Sequence, residues 1–235
     1  MTATGGTGKK LPYIKMCGFV DPGEARTATL LGADLIGLNF FSASPRAISF
    51  ALAAKIQEVV KKAGAERTSK RPVRTVAVMV DPDVELVLEV LREVKPDILQ
   101  FHGEEPPHVC RYFRHPFIKA FRPKGAGDIA KIPDYLGGYC VGFLIDSATG
   151  GQTGIDFGGT GKLVPLSIAT EALRHPRGFL AGGLKPDNVA GLVRQLRPYG
   201  VDVASGIETR PGRKSPELMA EFIRAVREGA AEQIP

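Results

Sequence analysis

What most constrains this chain is a beat. From residue 11 onward, short apolar runs alternate with helical patterns eight times over. LPYIKM, ADLIGLNF, RTVAVMV, PDILQF, PFIKAF, CVGFLID, GFLAGG and VDVASG read as strands. They are apolar on both faces, which suits strands covered by helices or closed into a barrel. Between them, DPGEARTATLLG, SFALAAKIQEVVKKAG, DPDVELVLEVLREV, EEPPHVCRYFR, PLSIATEALRH, KPDNVAGLVRQLRP and SPELMAEFIRAVREG read as helices. Asp21 before Pro22, Asp81 before Pro82 and Ser215 before Pro216 are start signals. Only RPKGAGDIAKIPDYLGGY, crowded with proline and glycine, gives a poor pattern, so helix five is short or missing. Such alternation implies a parallel sheet. Eight units without a break in composition favour a single-domain (β/α)8 TIM barrel over residues 11–235, with a doubly wound open sheet as runner-up. Residues 1–10, MTATGGTGKK, read as a flexible extension.

Composition removes several classes. No apolar run approaches the roughly 18 residues a membrane span needs, and the start lacks a signal-peptide pattern. Three widely spaced cysteines without a CxxC pair argue against a disulfide framework or a zinc site and point to the cytoplasm. No two histidines or carboxylates have ligand spacing, so no metal is expected. The net charge of +6 is concentrated in KKAGAERTSKRPVR, residues 61–74, which reads as a solvated connection. It has no interleaved aromatics, so nucleic acid is not an expected partner, whereas an anionic small molecule is.

In a barrel of this kind the chemistry sits where strands end, so oddities there are candidates and oddities elsewhere are presumed structural. Strand one ends in Lys15-Met16-Cys17-Gly18, with Lys15 and Cys17 on one face. An ammonium beside a thiol lowers its pKa and makes thiolate available, so Cys17 is either a base or nucleophile or a small apolar filler. Lys15 is also a candidate substrate contact. Asp146 ends strand six after an uncharged run; it is a catalytic acid/base with a raised pKa or a cap for the next turn. Strands seven and eight end in Ala181-Gly182-Gly183 and Ala204-Ser205-Gly206, small-residue turns whose backbone N–H groups suit a phosphate. Gly159, within Gly158-Gly159-Thr160-Gly161, either joins that cradle or belongs to a lid. Arg46, in NFFSASPRAISF, either snorkels to solvent or stacks on a ring or pairs with a carboxylate. Gln100 and His102 end strand four as candidate substrate contacts, His102 being a base, a neutral polar contact or a supporting group behind the site, while His108, His115 and His175 read as structural or solvated.

KMCG, GADLIGLNFFSASPRAIS, LQFHGEE, FLIDS, GGTGK, FLAGGLKPDNV and GVDVASGIETRPGRKSP, in this order from about Tyr13 to Arg227, resemble the phosphoribosylanthranilate isomerases of tryptophan biosynthesis. The resemblance implies an aldose–ketose isomerase, of the intramolecular oxidoreductase type, that performs an Amadori rearrangement without a cofactor. By that analogy Asp146 protonates the ribose ring oxygen and Cys17 takes the proton from C2. Arg46 holds the anthranilate moiety, and the backbone around Gly182, Gly183, Ser205 and Gly206 holds the phosphate. The partner is a phosphosugar–anthranilate substrate, and the assembly is a monomer or a homodimer.

The chain departs from the pattern in three places. Leu163-Val164-Pro165-Leu166 follows GGTGK where the family has a residue and then Phe-Asp-Trp. GGQTGIDF, residues 150–157, is longer than expected, which opens a second alignment with Gly150 to Gly154 as the glycine loop and Asp156 near the usual aspartate. Asp81 stands in place of an asparagine and is assigned to the rim. Two other readings are a bifunctional barrel isomerase that also acts on the histidine-pathway aminoaldose and a catalytically silent barrel that binds a phosphate ligand. The bifunctional enzymes use an aspartate at the end of strand one, so Cys17 argues against them.

Overall fold

In the computed structural model, residues 11–69, 71–147 and 163–232 are described. The eight apolar runs become β1 (Tyr13–Cys17), β2 (Leu35–Asn39), β3 (Arg74–Met79), β4 (Ile98–Phe101), β5 (Phe117–Phe121), β6 (Cys140–Ile145), β7 (Gly178–Leu180) and β8 (Gly200–Val203). They form one closed parallel barrel in chain order, with β8 returning to β1 through Lys15 opposite Asp202. The closed (β/α)8 reading is borne out, and the open sheet is excluded.

Each strand buries two faces against different neighbours. Leu35, Val76, Val78, Ile98, Ile118, Ala120, Leu144, Phe179 and Ala181 fill the barrel interior. Met16, Ile36, Leu38, Ala77, Leu99, Phe101 and Phe143 pack outward into the layer shared with the helices. This double burial is why the strand runs show no apolar/polar alternation.

The helices are α1 (Pro22–Leu31), α2 (Phe50–Ala65), α3 (Val84–Glu89), α4 (Pro107–Tyr112), α5 (Ala126–Ile129), α6 (Ile132–Tyr135), α7 (Leu166–Ala172), α8 (Pro186–Leu196) and α9 (Pro216–Ala231). The fifth connection holds only the single turns α5 and α6, in line with its poor pattern. Asp21 and Ser215 cap α1 and α9: Asp21 Oδ1 accepts from the N–H groups of Gly23 and Glu24, and Ser215 Oγ from that of Leu218.

The third start signal is misplaced. Asp83, not Asp81, caps α3 by accepting from Leu86 N at 2.8 Å. Asp81 has a φ of 43°, which is incompatible with the extended backbone of an N-cap. Its carboxylate instead accepts from Glu104 N at 2.7 Å and ties the rim loops after β3 and β4 together. α3 then widens into a π-turn at Val90–Val94, which no residue pattern signals. The stretch after β8 adds a small hairpin, β9 (Glu208–Arg210) with β10 (Arg213–Lys214), that was also unforeseen.

The basic run is only partly a solvated loop. Lys61 and Lys62 lie on α2, but Arg67 donates to the Ala33 carbonyl at 2.7 Å, and Arg71 sits 4.5 Å over the Tyr13 ring. Both guanidinium groups face Asp34 at the end of the barrel opposite the candidate site. The extension at residues 1–10 lies outside the described residues.

Candidate active site

The C-terminal strand ends surround a pocket of about 620 Å³, counting its open mouth. Cys17, Arg46, Gln100, His102 and Asp146 all line it, so five residues singled out in the sequence meet in one place. Asp202 joins them from β8.

Cys17 is the last residue of β1 and points into the barrel. Room for its sulfur comes from Gly37 on β2: a Cβ there would lie 2.5 Å from Cys17 Sγ. Lys15 lies beneath, fully buried, its Nζ donating to both oxygens of Asp202 at 3.0 and 2.9 Å. Lys15 therefore does not line the pocket as a direct substrate contact; it reaches Asp202 and Cys17 from below. The expected lowering of the thiol pKa is not what the surroundings produce. Burial pushes the Cys17 thiol up, Lys15 and Lys214 pull it back, and Asp202 adds a further upward push. The net direction is up. Burial works against the Lys15 ammonium, but the charges of Asp202 and Cys17 outweigh it and raise its pKa.

Asp146 follows β6 directly. One carboxylate oxygen accepts from the N–H of Ser147 at 2.8 Å, and the other lies 3.3 Å from His102 Nε2. Here too the shift runs opposite to expectation. Burial alone would raise this carboxyl, but His102, the Ser147 N–H and Arg122 together hold it below the usual carboxylate value. Gln100 Nε2 lies 2.8 Å from His102 Nδ1, on the side of the ring away from the Nε2 that faces Asp146. Gln100 Oε1 and Ser147 Oγ are buried beside this group and have no partner among the described residues.

Arg46 is carried by the loop after β2. Ser44 Oγ accepts from Asn39 Nδ2 at 3.0 Å and from Arg46 N at 3.2 Å, which folds the loop back over the barrel. Gly18 makes the approach possible: its φ is +82°, and a Cβ there would collide with Arg46 Cδ. The arginine pairs with a carboxylate, as its position suggested, but that carboxylate is the protein's own Glu208. Arg46 Nε and Nη2 donate to the two Glu208 oxygens at 2.8 and 2.6 Å. Lys214 completes the group, donating to Glu208 at 2.7 Å and to the Ala204 carbonyl at 2.9 Å. Sequence reasoning missed Asp202, Glu208 and Lys214. The available signal was position, since Asp202 lies within an apolar strand run and Glu208 just beyond its end.

The glycine turns lie beside this pocket rather than within its lining. Gly182 and Gly183 have φ of +77° and +66°, and a Cβ on Gly182 would lie 2.9 Å from Asp146 Oδ1. Asn188 Nδ2 donates to the Gly183 carbonyl at 2.9 Å, fixing the turn to the start of α8. A Cβ on Gly206 would strike the Leu184 carbonyl, so the turns after β7 and β8 pack on one another. Ser205 directly follows Ala204, which lines the pocket edge. Gly159, the GGTGK stretch and both alignments of residues 150–162 lie outside the described residues. Immediately after them, of the unusual Leu-Val-Pro-Leu stretch Val164 alone is buried; Leu163 and Leu166 are exposed, and Pro165 precedes α7. Among the described residues, no cluster of three His, Cys, Asp or Glu side chains stands ready for a metal, and no helix is long and apolar enough to cross a membrane.

A closed parallel barrel with ionisable side chains converging at its C-terminal strand ends defines the class of (β/α)8-barrel enzymes. Comparison with known proteins narrows this. The family model described as N-(5'phosphoribosyl)anthranilate (PRA) isomerase matches residues 14–225. The N-(5'-phosphoribosyl)anthranilate isomerase of Trichlorobacter lovleyi is 39% identical over 216 residues, covering 92% of this chain and 98% of that protein. The crystal structure of the Thermotoga maritima phosphoribosyl anthranilate isomerase matches with a TM-score of 0.77 at 29% identity, over 92% of this chain and 99% of that one. Another isomerase structure, in complex with reduced 1-(o-carboxyphenylamino)-1-deoxyribulose 5-phosphate, matches with a TM-score of 0.72 at 28% identity, over 92% and 99% of the two chains. This chain belongs to the N-(5'-phosphoribosyl)anthranilate isomerase family.

Proposed function

We propose that this family member isomerises N-(5'-phosphoribosyl)anthranilate to 1-(2-carboxyphenylamino)-1-deoxyribulose 5-phosphate in tryptophan biosynthesis, with Asp146 as general acid and Cys17 as general base. The observation that carries this reading is that the two groups line one pocket from separate strands, β1 and β6, leaving the substrate between them. Asp146 gives its proton to the ribose ring oxygen as the C1–O bond breaks, leaving a protonated Schiff base. Cys17 thiolate takes the C2 proton, and the electron pair forms an enolamine that tautomerises to the ketone. Gln100 Oε1 and Ser147 Oγ, buried without partners, are suited to the sugar hydroxyls. Arg46 would hold the anthranilate carboxylate, and the turns at Gly182-Gly183 and Ser205-Gly206 the phosphate.

The pKa directions add a condition. A raised thiol and a lowered carboxyl mean that the pair rests as Cys17 S–H and Asp146 carboxylate. The reactive form, thiolate with carboxylic acid, carries the same total number of protons and is the minor tautomer of that pair. Activity should therefore be flat between the two pKa values and fall outside them, with Asp146 setting the acid limb and Cys17 the alkaline limb.

The test follows the loss of fluorescence of freshly made phosphoribosylanthranilate. Wild type should turn it over, while Cys17→Ser and Asp146→Asn should each lose about 10²–10⁴ in rate. A Cys17→Ser variant as fast as wild type would remove the base assignment. An inert wild type that binds the reduced product would support the silent-barrel reading.

A further inference from the structure

We propose that Glu208 is a positioning residue for substrate recognition: it holds Arg46 in the orientation that reads the substrate's aromatic carboxylate. This rests on the isomerase reading above and names a residue through which that reading acts.

The geometry is that of a built clamp. Both Glu208 oxygens are engaged by Arg46, and Oε1 also accepts from Lys214 Nζ and from Gly212 N at 3.2 Å. The side chains of Arg46, Glu208 and Lys214 are 12%, 4% and 0% exposed, so the group is held away from bulk water. Only Arg46 lines the pocket; Glu208 and Lys214 stand behind it. The Glu208 bonds use Nε and Nη2, one edge of the guanidinium fork. Three further N–H donors remain, two of them on the Nη1–Nη2 edge, the bidentate geometry that a second carboxylate requires.

Charge supports the same assignment. Arg46 and Lys214 share the one Glu208 carboxylate in a nearly buried corner, and burial, with Arg46 adding to it, pushes the Lys214 ammonium pKa down despite Glu208. Crowding two cations on one carboxylate away from water is costly, and a second anion beside them relieves it. Arg46 carries this crowding to the pocket lining, where an anionic group on a ligand would relieve it. Position adds a constraint. The Arg46 side chain presses on Gly18, next to Cys17, so rotation of the guanidinium would move it relative to the base. Through Lys214 the same carboxylate is linked to the Ala204 carbonyl, one residue before the Ser205-Gly206 turn. Glu208 thus sets the spacing between the aromatic and the phosphate ends of the site.

The experiment compares wild type, Glu208→Gln, Glu208→Asp, Arg46→Ala and the double variant Arg46→Ala/Glu208→Gln. Two substrates are used: phosphoribosylanthranilate and phosphoribosylaniline, which lacks the carboxylate. Glu208→Gln should raise KM for phosphoribosylanthranilate about ten- to hundredfold, the scale of misplacing a positioning group, and change kcat less. It should change kcat/KM for phosphoribosylaniline by under threefold and cost nothing further once Arg46 is alanine. Glu208→Asp, one methylene short of the two-point pair, should fall between. The ratio of the two substrates within one variant is independent of how much of it folds. An equal loss for both substrates, an equal loss with and without Arg46, or no loss at all would overturn the proposal.

A second arm separates this inference from the isomerase reading. It measures affinity for reduced 1-(o-carboxyphenylamino)-1-deoxyribulose 5-phosphate and for its counterpart without the carboxylate. If wild type is inert but Glu208→Gln weakens only the carboxylate-bearing ligand, the reaction assignment falls and the clamp stands. If both ligands weaken alike, the clamp falls whatever the activity.

Discussion

The molecule holds two thiols beside two buried lysine–carboxylate pairs, and it uses them differently. Cys17 has Lys15 and Asp202 on the inner face of the barrel; Cys110 has Lys119 and Glu105 on the outer face. Each ammonium sits about 3 Å from its carboxylate. Around Lys119, however, the backbone takes up the remaining donors: its Nζ bonds the carbonyls of Gly103 at 2.6 Å and Ala120 at 2.9 Å. Glu105 is equally occupied, accepting from the N–H groups of Asp81 and Gly103. Among the described residues Cys110 is wholly buried, its thiol pushed up to about 12 by burial. Cys17 is partly exposed at the mouth and feels the charge of Lys15. The same three chemical groups, thiol, ammonium and carboxylate, make a splint for a rim loop in one place and the proposed base in the other. Access to a ligand separates them, not the presence of a buried pair.

The contrast can be broken in three ways. The largest expected effect is on rate: Cys17→Ser loses about 10²–10⁴ in kcat, whereas Cys110→Ser retains wild-type kcat. Steady-state turnover of phosphoribosylanthranilate measures both. The second effect is on stability. Lys119→Met strands the Glu105 carboxylate in the core and should cost about 3–5 kcal/mol in urea unfolding, with kcat of the folded fraction kept. Lys15→Met strands Asp202 in the same way but should also lose activity, because the thiol loses its nearest cation. Equal activity in the two methionine variants would erase the distinction drawn here.

The smallest effect is on the pH dependence of stability. Asp146 and Glu208 have carboxyl groups held below their ordinary values when folded. They therefore bind protons more weakly in the native state than in the unfolded one. Their contribution is fully present above the unfolded carboxylate pKa of about 4 and is lost as pH falls from there through the lower folded values. Asp34, raised chiefly by burial, has the opposite sign and offsets part of this. The free energy of unfolding should fall on acidification below about pH 4, and less steeply in Asp146→Asn. An unchanged slope would mean that Asp146 titrates alike in both states.

The strands, the closed barrel and the five pocket residues were legible because they depend on local rules. A strand buried on both faces is apolar throughout, and a barrel presents its strand ends on one side. Asp202, Glu208 and Lys214 were not legible, because their roles come from partners brought close only by barrel closure. The hairpin β9–β10 and the π-turn at Val90–Val94 follow from no periodicity. The directions of the Cys17 and Asp146 shifts were misread for a related reason. A neighbouring lysine can be read from KMC, but desolvation and the second carboxylate at Asp202 cannot.

The closure of the ring has a consequence for how the enzyme comes into being. Lys15 and Asp202 are separated by 187 residues, and Arg46 and Glu208 by 162. Contacts so distant along the chain carry a large loop-closure cost and form late. On the ribosome, the half of the mouth contributed by β1 and the loop after β2 is made first and waits for its counter-ions until β8 and the turn beyond it have emerged. A nascent chain stopped between Arg46 and Asp202 has the buried lysine and the arginine but neither carboxylate that holds them, so the corner proposed to read the aromatic carboxylate is among the later parts of the enzyme to form.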